Sequence, residues 1–281
     1  MSDNDLSPIG RFKTVLLVTD LSEFSAGADG VAVQFCRRLG AHLHVLSIVH
    51  DTGETGWIPP ESEDRVVKAT VDKLKNLEAA AHRMGVTCTT HTRGGNEPAR
   101  IAVEEARALH TDLIVVGRRD RSKLGRKLLG SLAVQILERT HCPVMVVPRH
   151  AGMWDSVLVA DDGSRFGAHA LKAAELIAKA CGAAITVLAV RMSADTADEQ
   201  DARIIVDRAV QHLGDVGVKA DGVVAEGAPD KVILKTASER KSGLIVLGKF
   251  GRTGMARRLF GGIGETVKKR AQVPVLVVRG R

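Results

Sequence analysis

The sequence predicts a doubly wound α/β fold, built twice within one chain. Three observations carry that expectation. Short apolar runs alternate with stretches of helical period, the whole alternation recurs in the same order, and a glycine-rich segment follows the fourth apolar run each time.

The first alternation opens with Thr14 to Asp20, an apolar run ending in an acid, as expected for a strand buried on both faces whose carboxyl end meets a loop. Ser22 or Ser25 can cap the helix that follows through Val31, Phe35 and Leu39, and Gly40 is its expected stop. His42 to Val49 reads as the second strand. The polar stretch Asp51 to Asp64, with Gly53, Gly56, Pro59 and Pro60, is expected to be irregular. A helix is predicted from about Arg65 to Met84, with Val67, Val71, Leu74 and Leu77 at helical spacing and Gly85 at its end. Val86 to Thr92 is the third strand, Pro98 opens the next helix, and Leu113 to Val116 is the fourth strand. A glycine segment from Gly117, a helix from about Ser131 to Arg139, and a fifth strand, Pro143 to Val147, complete the set.

The pattern then restarts. Val157 to Ser164 matches Val15 to Ser22, so that Asp162 answers Asp20, and Ile185 to Val190 repeats the second strand. Gly217 and Val218 answer Gly85 and Val86, Pro229 answers Pro98, Gly248 answers Gly117, and Pro274 to Val278 answers Pro143 to Val147. Five strands repeated in order predict a duplicated domain, residues 1–150 and 151–281, joined by a polar link near His150 to Met153.

Composition narrows the function. With 281 residues, 44% hydrophobic and 26% charged, this is the chemistry of an ordinary globular protein. No run approaches a membrane span, and the polar leader lacks an apolar signal core, so the expected compartment is the cytoplasm. The four cysteines are scattered without a ligand cluster or a disulfide framework, and His42, His44 and His141 lack a third ligand at sensible spacing, so no metal is expected. A net charge of +7 and a pI near 9.4 suit an anionic partner. Aromatic residues at 3%, with no tyrosine, leave little from which to build a stacking platform, so nucleic acid is not the expected one. There is no G-x4-GK[S/T] loop, no GxGxxG after either first strand, and no nucleophile, base and orienter in neighbouring motifs. The expectation is therefore a binding protein rather than a rapid enzyme.

The two glycine segments are GRRDRSKLGRKLLGS, from Gly117 to Ser131, and GKFGRTGMARRLFGG, from Gly248 to Gly262. Between a strand and a helix, a backbone without side chains can wrap a phosphate and present its N–H groups. With the strand ending in Asp before them and the P-V-x-V-V strand after them, both halves resemble the universal stress protein family, and the chain resembles its tandem type. The family's mark is G-x2-G-x9-G followed by Ser or Thr, and the likeness runs from about Arg11 to Arg279.

The resemblance implies two tandem Rossmann-like domains of the adenine nucleotide alpha hydrolase-like kind. Each is a five-stranded parallel sheet of order 3-2-1-4-5 with helices on both faces. Strands 1 and 4 are then neighbours at the topological switch point, where crevices open beyond the carboxyl ends. It further implies an ATP site, possible with Mg, in which Asp162 and Val187 contact the nucleoside while Gly248, Gly251, Gly261, Gly262 and Ile263 cradle the phosphates. The weaker first-half counterpart is Asp20, Val45, Gly117, Gly130 and Ser131.

The halves depart from the motif differently. Gly262 stands where the hydroxyl residue belongs, a loss of about 1.5–3 kcal/mol for one hydrogen bond to a charged phosphate. Asp120 stands where the middle glycine belongs, and a carboxylate about 4 Å from a phosphate charge repels it by about 4 kcal/mol at a surface-like dielectric. Arg118, Arg119, Arg121 and Arg126 can offset part of that by pairing with Asp120 or with phosphate. The second half is the expected ATP site. Plainer roles stand beside these: the aspartates as helix caps, the glycines as turns, and the basic residues Arg252, Arg257 and Arg258 as a solvated face. The resemblance also implies an internal pseudo-dimer through the fifth strands, with pairing of two chains as a further step. The expected role is a stress-linked sensor or regulator with an unidentified protein partner, and the alternative is an ATP-independent scaffold with decayed loops.

Overall fold

Each half opens with a strand that is polar only at its ends: β1 (Thr14–Val18) and, in the second half, Ser156–Ala160. In the computed structural model, which describes residues 12–49, 60–118, 132–191, 196–249, 267 and 270–279, both strands are central and their apolar side chains are buried, apart from the half-buried Ala160. Burial on both faces is what a parallel sheet covered by helices requires, and it accounts for apolar runs without polar alternation.

The elements follow as α1 (Ala26–Leu39), β2 (His42–Val49), α2 (Pro60–Arg83), β3 (Cys88–Gly94), α3 (Pro98–Ala108), β4 (Leu113–Gly117), α4 (Leu132–Arg139) and β5 (Val144–Val147). The second half comprises β6 (Ser156–Ala160), α5 (Arg165–Cys181), β7 (Ala184–Arg191), α6 (Thr196–Asp215), β8 (Ala220–Glu226), α7 (Pro229–Glu239), β9 (Leu244–Gly248) and β10 (Val275–Val278). Gly40 and Gly182 end α1 and α5 in left-handed conformation, their N–H groups returning to Cys36 and Ala178 carbonyls. The expected irregular stretch up to Asp64 is corrected: α2 already starts at Pro60. Proline needs no donor at a helix's first position and arrives with the right φ, so it began the helix instead of delaying it.

The chain groups into two compact units. One holds Phe12–His141 and Val147–Gly152, and the other holds Cys142–Val146 with Met153 onward. In the first, the parallel order is β3-β2-β1-β4, and the Val147 carbonyl accepts from the Arg118 N–H. In the second, the parallel order is β10-β9-β6-β7-β8, and residues 144–146 of β5 pair antiparallel with β10. The second half thus has the 3-2-1-4-5 order.

One buried carboxylate ties α6 to α5. Glu175 is 2% exposed and receives Lys179 (2.9 Å), His212 (3.1 Å) and Lys172 (3.1 Å to each oxygen). Burial alone would raise its pKa, but hydrogen bonds from Lys179, His212 and Lys172 more than offset this and hold it at about 2. A depressed carboxyl contributes stability that is present above its unfolded value of about 4.5 and lost as pH falls toward 2. Glu175→Gln is therefore expected to lower the stability measured by urea unfolding at pH 7 by about 1–3 kcal/mol, with the difference shrinking as pH falls from 4.5 toward 2.

Candidate functional site

The pairing register brings four of the expected site residues, Asp20 with Gly117 and Asp162 with Gly248, to the strand ends. Val18 faces Val116 across β1 and β4, and Ala160 faces Leu247 across β6 and β9. Asp20 and Gly117 therefore leave neighbouring strands side by side, as do Asp162 and Gly248. Each turn is also pinned to the strand beyond, by Thr19 N–H to the Leu46 carbonyl (3.0 Å) and Asp161 N–H to the Leu188 carbonyl (2.9 Å). Val45 and Val187 are fully buried, with their side chains in the core of β2 and β7. Gly251, Gly261, Gly262 and Ile263, and in the first half Asp120, Gly130 and Ser131, lie outside the described residues.

Beyond the strands the two turns are built differently. Asp20 is exposed, and one carboxylate oxygen accepts from the Ser22 N–H (3.1 Å) and hydroxyl (2.7 Å). Asp162 is partly exposed and accepts from the Ser164 N–H (3.0 Å). Neither aspartate caps its helix, which corrects that plainer reading: each folds back onto its own turn. Ser164 caps α5 by accepting from the Gly167 N–H (3.1 Å), whereas neither serine caps α1, because Ser25 occupies the position with helical backbone angles and spends its hydroxyl elsewhere. The turn needs a left-handed residue, which the second half supplies as Gly163 (φ 73°) and the first as Leu21 (φ 54°), a strain on the order of 1–3 kcal/mol.

Gly248 has a packing duty of its own. A Cβ there would come within 2.7 Å of the Phe166 carbonyl oxygen in the first turn of α5. At Gly117 the nearest atom is the Ser25 Cα at 3.3 Å, so the first half is looser at this point.

Two features escaped sequence reading. Asp161 is buried beside Asp162, accepts from the Gly163 N–H (2.9 Å), and lies directly over Gly167, where a Cβ would strike its carboxylate. Burial raises its pKa; the Gly163 bond opposes this and the Asp162 charge adds to it. The Asp161–Asp162 pair and a glycine six residues on were the available signal. Asp161 also borders a groove of about 360 Å³ between α5 and α6, which Leu171, Asp201, Ile205, Arg208 and His212 help to line. On the first half's sheet, β2–β3 pairing brings His91 within 3.4 Å of His44, which stacks on His42 with ring centroids 4.1 Å apart. Burial, then His42 and His91, hold His44 down to about 4. Strand register, which sequence spacing does not encode, brings these three histidines together. Among the described residues, no group of three His, Cys, Asp or Glu is placed to hold a metal ion.

Taken together, fold and site define a duplicated doubly wound α/β protein whose carboxylate-tipped first strands open beside glycines that end the fourth. The chain belongs to the universal stress protein family, whose model matches residues 11–148 and again 153–279. It is similar to a universal stress protein of Mycobacterium tuberculosis, 27% identical over 248 residues that cover 80% of each chain. A universal stress protein of Methanocaldococcus jannaschii is 29% identical over 143 residues, covering 49% of this chain and 83% of that one. The crystal structure of a universal stress protein from Archaeoglobus fulgidus has the same fold, with a TM-score of 0.79 at 23% identity over 96% of this chain and 98% of that one.

The packing difference between the two glycines is directly measurable. Gly248→Ala is expected to lower the melting temperature by an amount equivalent to about 1–3 kcal/mol, the usual penalty for overpacking against backbone. Gly117→Ala should lower it distinctly less, and equal losses would contradict the geometry.

Proposed function

We propose that this tandem universal stress protein binds ATP, chiefly in its second half, and acts as a stress-linked sensor or regulator. The observation that carries this reading is the pairing of Ala160 with Leu247, which sets the Asp162 turn and Gly248 side by side at the open end of the sheet. That is where a nucleotide binds in doubly wound sheets. By family resemblance Asp162 and Val187 meet the nucleoside, and Gly248, Gly251, Gly261, Gly262 and Ile263 hold the phosphates, with Mg as an accompanying ion. The net charge of +7 and the basic residues around the second glycine segment favour such an anion. The first-half set, Asp20, Val45, Gly117, Gly130 and Ser131, is the weaker site because of Asp120.

The division between the domains falls at residues 150 and 151 in this reading, and the compartment is the cytoplasm. Among the described residues, no helix is long and apolar enough to cross a membrane. The halves form an internal pseudo-dimer through their fifth strands, which the antiparallel pairing of β5 with β10 supports. Two chains pair further into a homodimer.

A second reading, an ATP-independent interaction protein, is favoured by one observation: Gly248 is required by its contact with Phe166 whatever the loop binds. Isothermal titration of dialysed protein with ATP-Mg separates the two. Heat at micromolar to millimolar ATP, abolished by Gly251→Asp, is the expected outcome. No heat and no thermal shift at millimolar ATP would reject ATP binding, and unchanged affinity in Gly251→Asp would reject the phosphate cradle.

A further inference from the structure

At three equivalent positions around the start of the first helix the halves carry different residues: Thr19, Ser25 and Asp29 in one, Asp161, Gly167 and Leu171 in the other. The three differences amount to one exchange. In the second half the carboxylate sits on the chain leaving β6, Gly167 gives it room, and the helix position is apolar. In the first half the carboxylate is on the helix, as Asp29, and two hydroxyls fill the space between it and the turn.

Those hydroxyls form a chain. Thr19 Oγ1 donates to Ser25 Oγ (2.9 Å) and accepts from the Leu21 N–H (3.0 Å). Ser25 Oγ lies 2.9 Å from the Ser22 carbonyl and 3.2 Å from Asp29 Oδ2. Ser22 Oγ donates to Asp20 and accepts from the Phe24 N–H (3.2 Å). A serine has one hydroxyl proton, so Ser25 cannot donate both to Ser22 and to an ionised Asp29. If Asp29 is ionised, Ser25 turns its proton to the carboxylate, beside the Thr19 hydroxyl that also favours the charge, and Asp29 Oδ1 is still buried without a hydrogen-bond partner. If Asp29 carries a proton on Oδ2, it donates to Ser25 Oγ, and Ser25 is released to the Ser22 carbonyl.

We propose that Asp29 is a proton-responsive positioning residue: its protonation hands the Ser25 hydroxyl from the helix to the Ser22 carbonyl and so sets the turn that carries Asp20. The surroundings suit that role. Burial raises Asp29 from 3.8 to about 6, with Thr19 and Ser25 opposing and the Asp20 charge adding. Of the other charged groups near this end of α1, Glu23 is paired with Arg149, and Arg118 leaves β4 beside Ser25. Arg37 and Arg38 lie in the last turn of the helix. The strands under α1 contribute the apolar side chains of β1 and β4, while on β2 the alternation that buries Val45 turns His42 and His44 to the other face, toward His91. The second half has no hydroxyl at Gly167 and no carboxylate at Leu171, so this hand-over is a property of the first half alone. Its consequence for a bound ligand rests on the reading of Asp20 as a nucleoside contact.

A raised carboxyl favours the fold while protonated, and this contribution is lost as pH rises from 3.8 through about 6. The test is an NMR titration of the full-length protein from pH 4.5 to 8, following the Asp29 carboxyl carbon and the amides of Leu21, Ser22 and Phe24. The expected result is one shared midpoint near 6. In Asp29→Asn the amides should lose that inflection and stay near their acidic wild-type positions. A double variant, Ser25→Gly with Asp29→Leu, carries the second half's residues at both positions, should also lose it, and guards against a single variant that folds poorly. An Asp29 carboxyl that does not titrate in this range, or amide inflections that persist in Asp29→Asn, would overturn the proposal. An ATP titration of the same samples at pH 5.5 and 7.5 keeps the two ideas apart: a shared midpoint without nucleotide binding sustains the switch and rejects the ATP reading.

Discussion

The close approach of the fourth strand's end to the first turn of the first helix is the constraint on which the rest depends. In the second half Gly248 lies against the Phe166 backbone with no room for a Cβ, and in the first Gly117 lies against Ser25. Because that helix follows directly from the central strand, one contact fixes three things: where the glycine segment departs, where the helix dipole points, and where the Asp20 or Asp162 turn is held. Hydrogen bonds from Thr19 and Asp161 to the next strand complete the frame. These contacts hold the strand ends at the switch point, where doubly wound sheets open to a ligand.

Much of this was legible because it rests on local or repeated signals. Doubly buried strands read as apolar runs, Gly40 and Gly182 stop their helices, and Pro98 and Pro229 open theirs. The duplication supplied what single motifs lacked, since register between the halves identifies Asp162 with Asp20 and Gly248 with Gly117. What was not legible depends on contacts that spacing does not encode. Pro60 looked like part of a loop because proline breaks a helix everywhere except at its start. His91 joins His44 only through strand register, and Asp29 matters only because α1 turns it toward hydroxyls four and ten residues back along the chain. The Gly251 to Ile263 part of the site stands on motif alone.

The two halves of the duplicated chain carry different residues at matching positions. The second half keeps its three loop glycines, a serine cap on α5, and glycine at the left-handed turn position. The first half has Asp120 in its loop, strain at Leu21, and hydroxyls in place of a turn carboxylate. In the proposed reading these differences suit the second half to an anion and the first to a proton-responsive turn. A tandem protein with one half for each task differs from a symmetric pair of identical sites.

Hydrogen exchange followed by mass spectrometry, with and without ATP-Mg, tests that asymmetry most directly. The account requires slowed exchange in peptides spanning residues 248–263 and the Asp162 turn, with little change in those spanning residues 117–131. Equal protection of both glycine segments, or protection of the first alone, would contradict it.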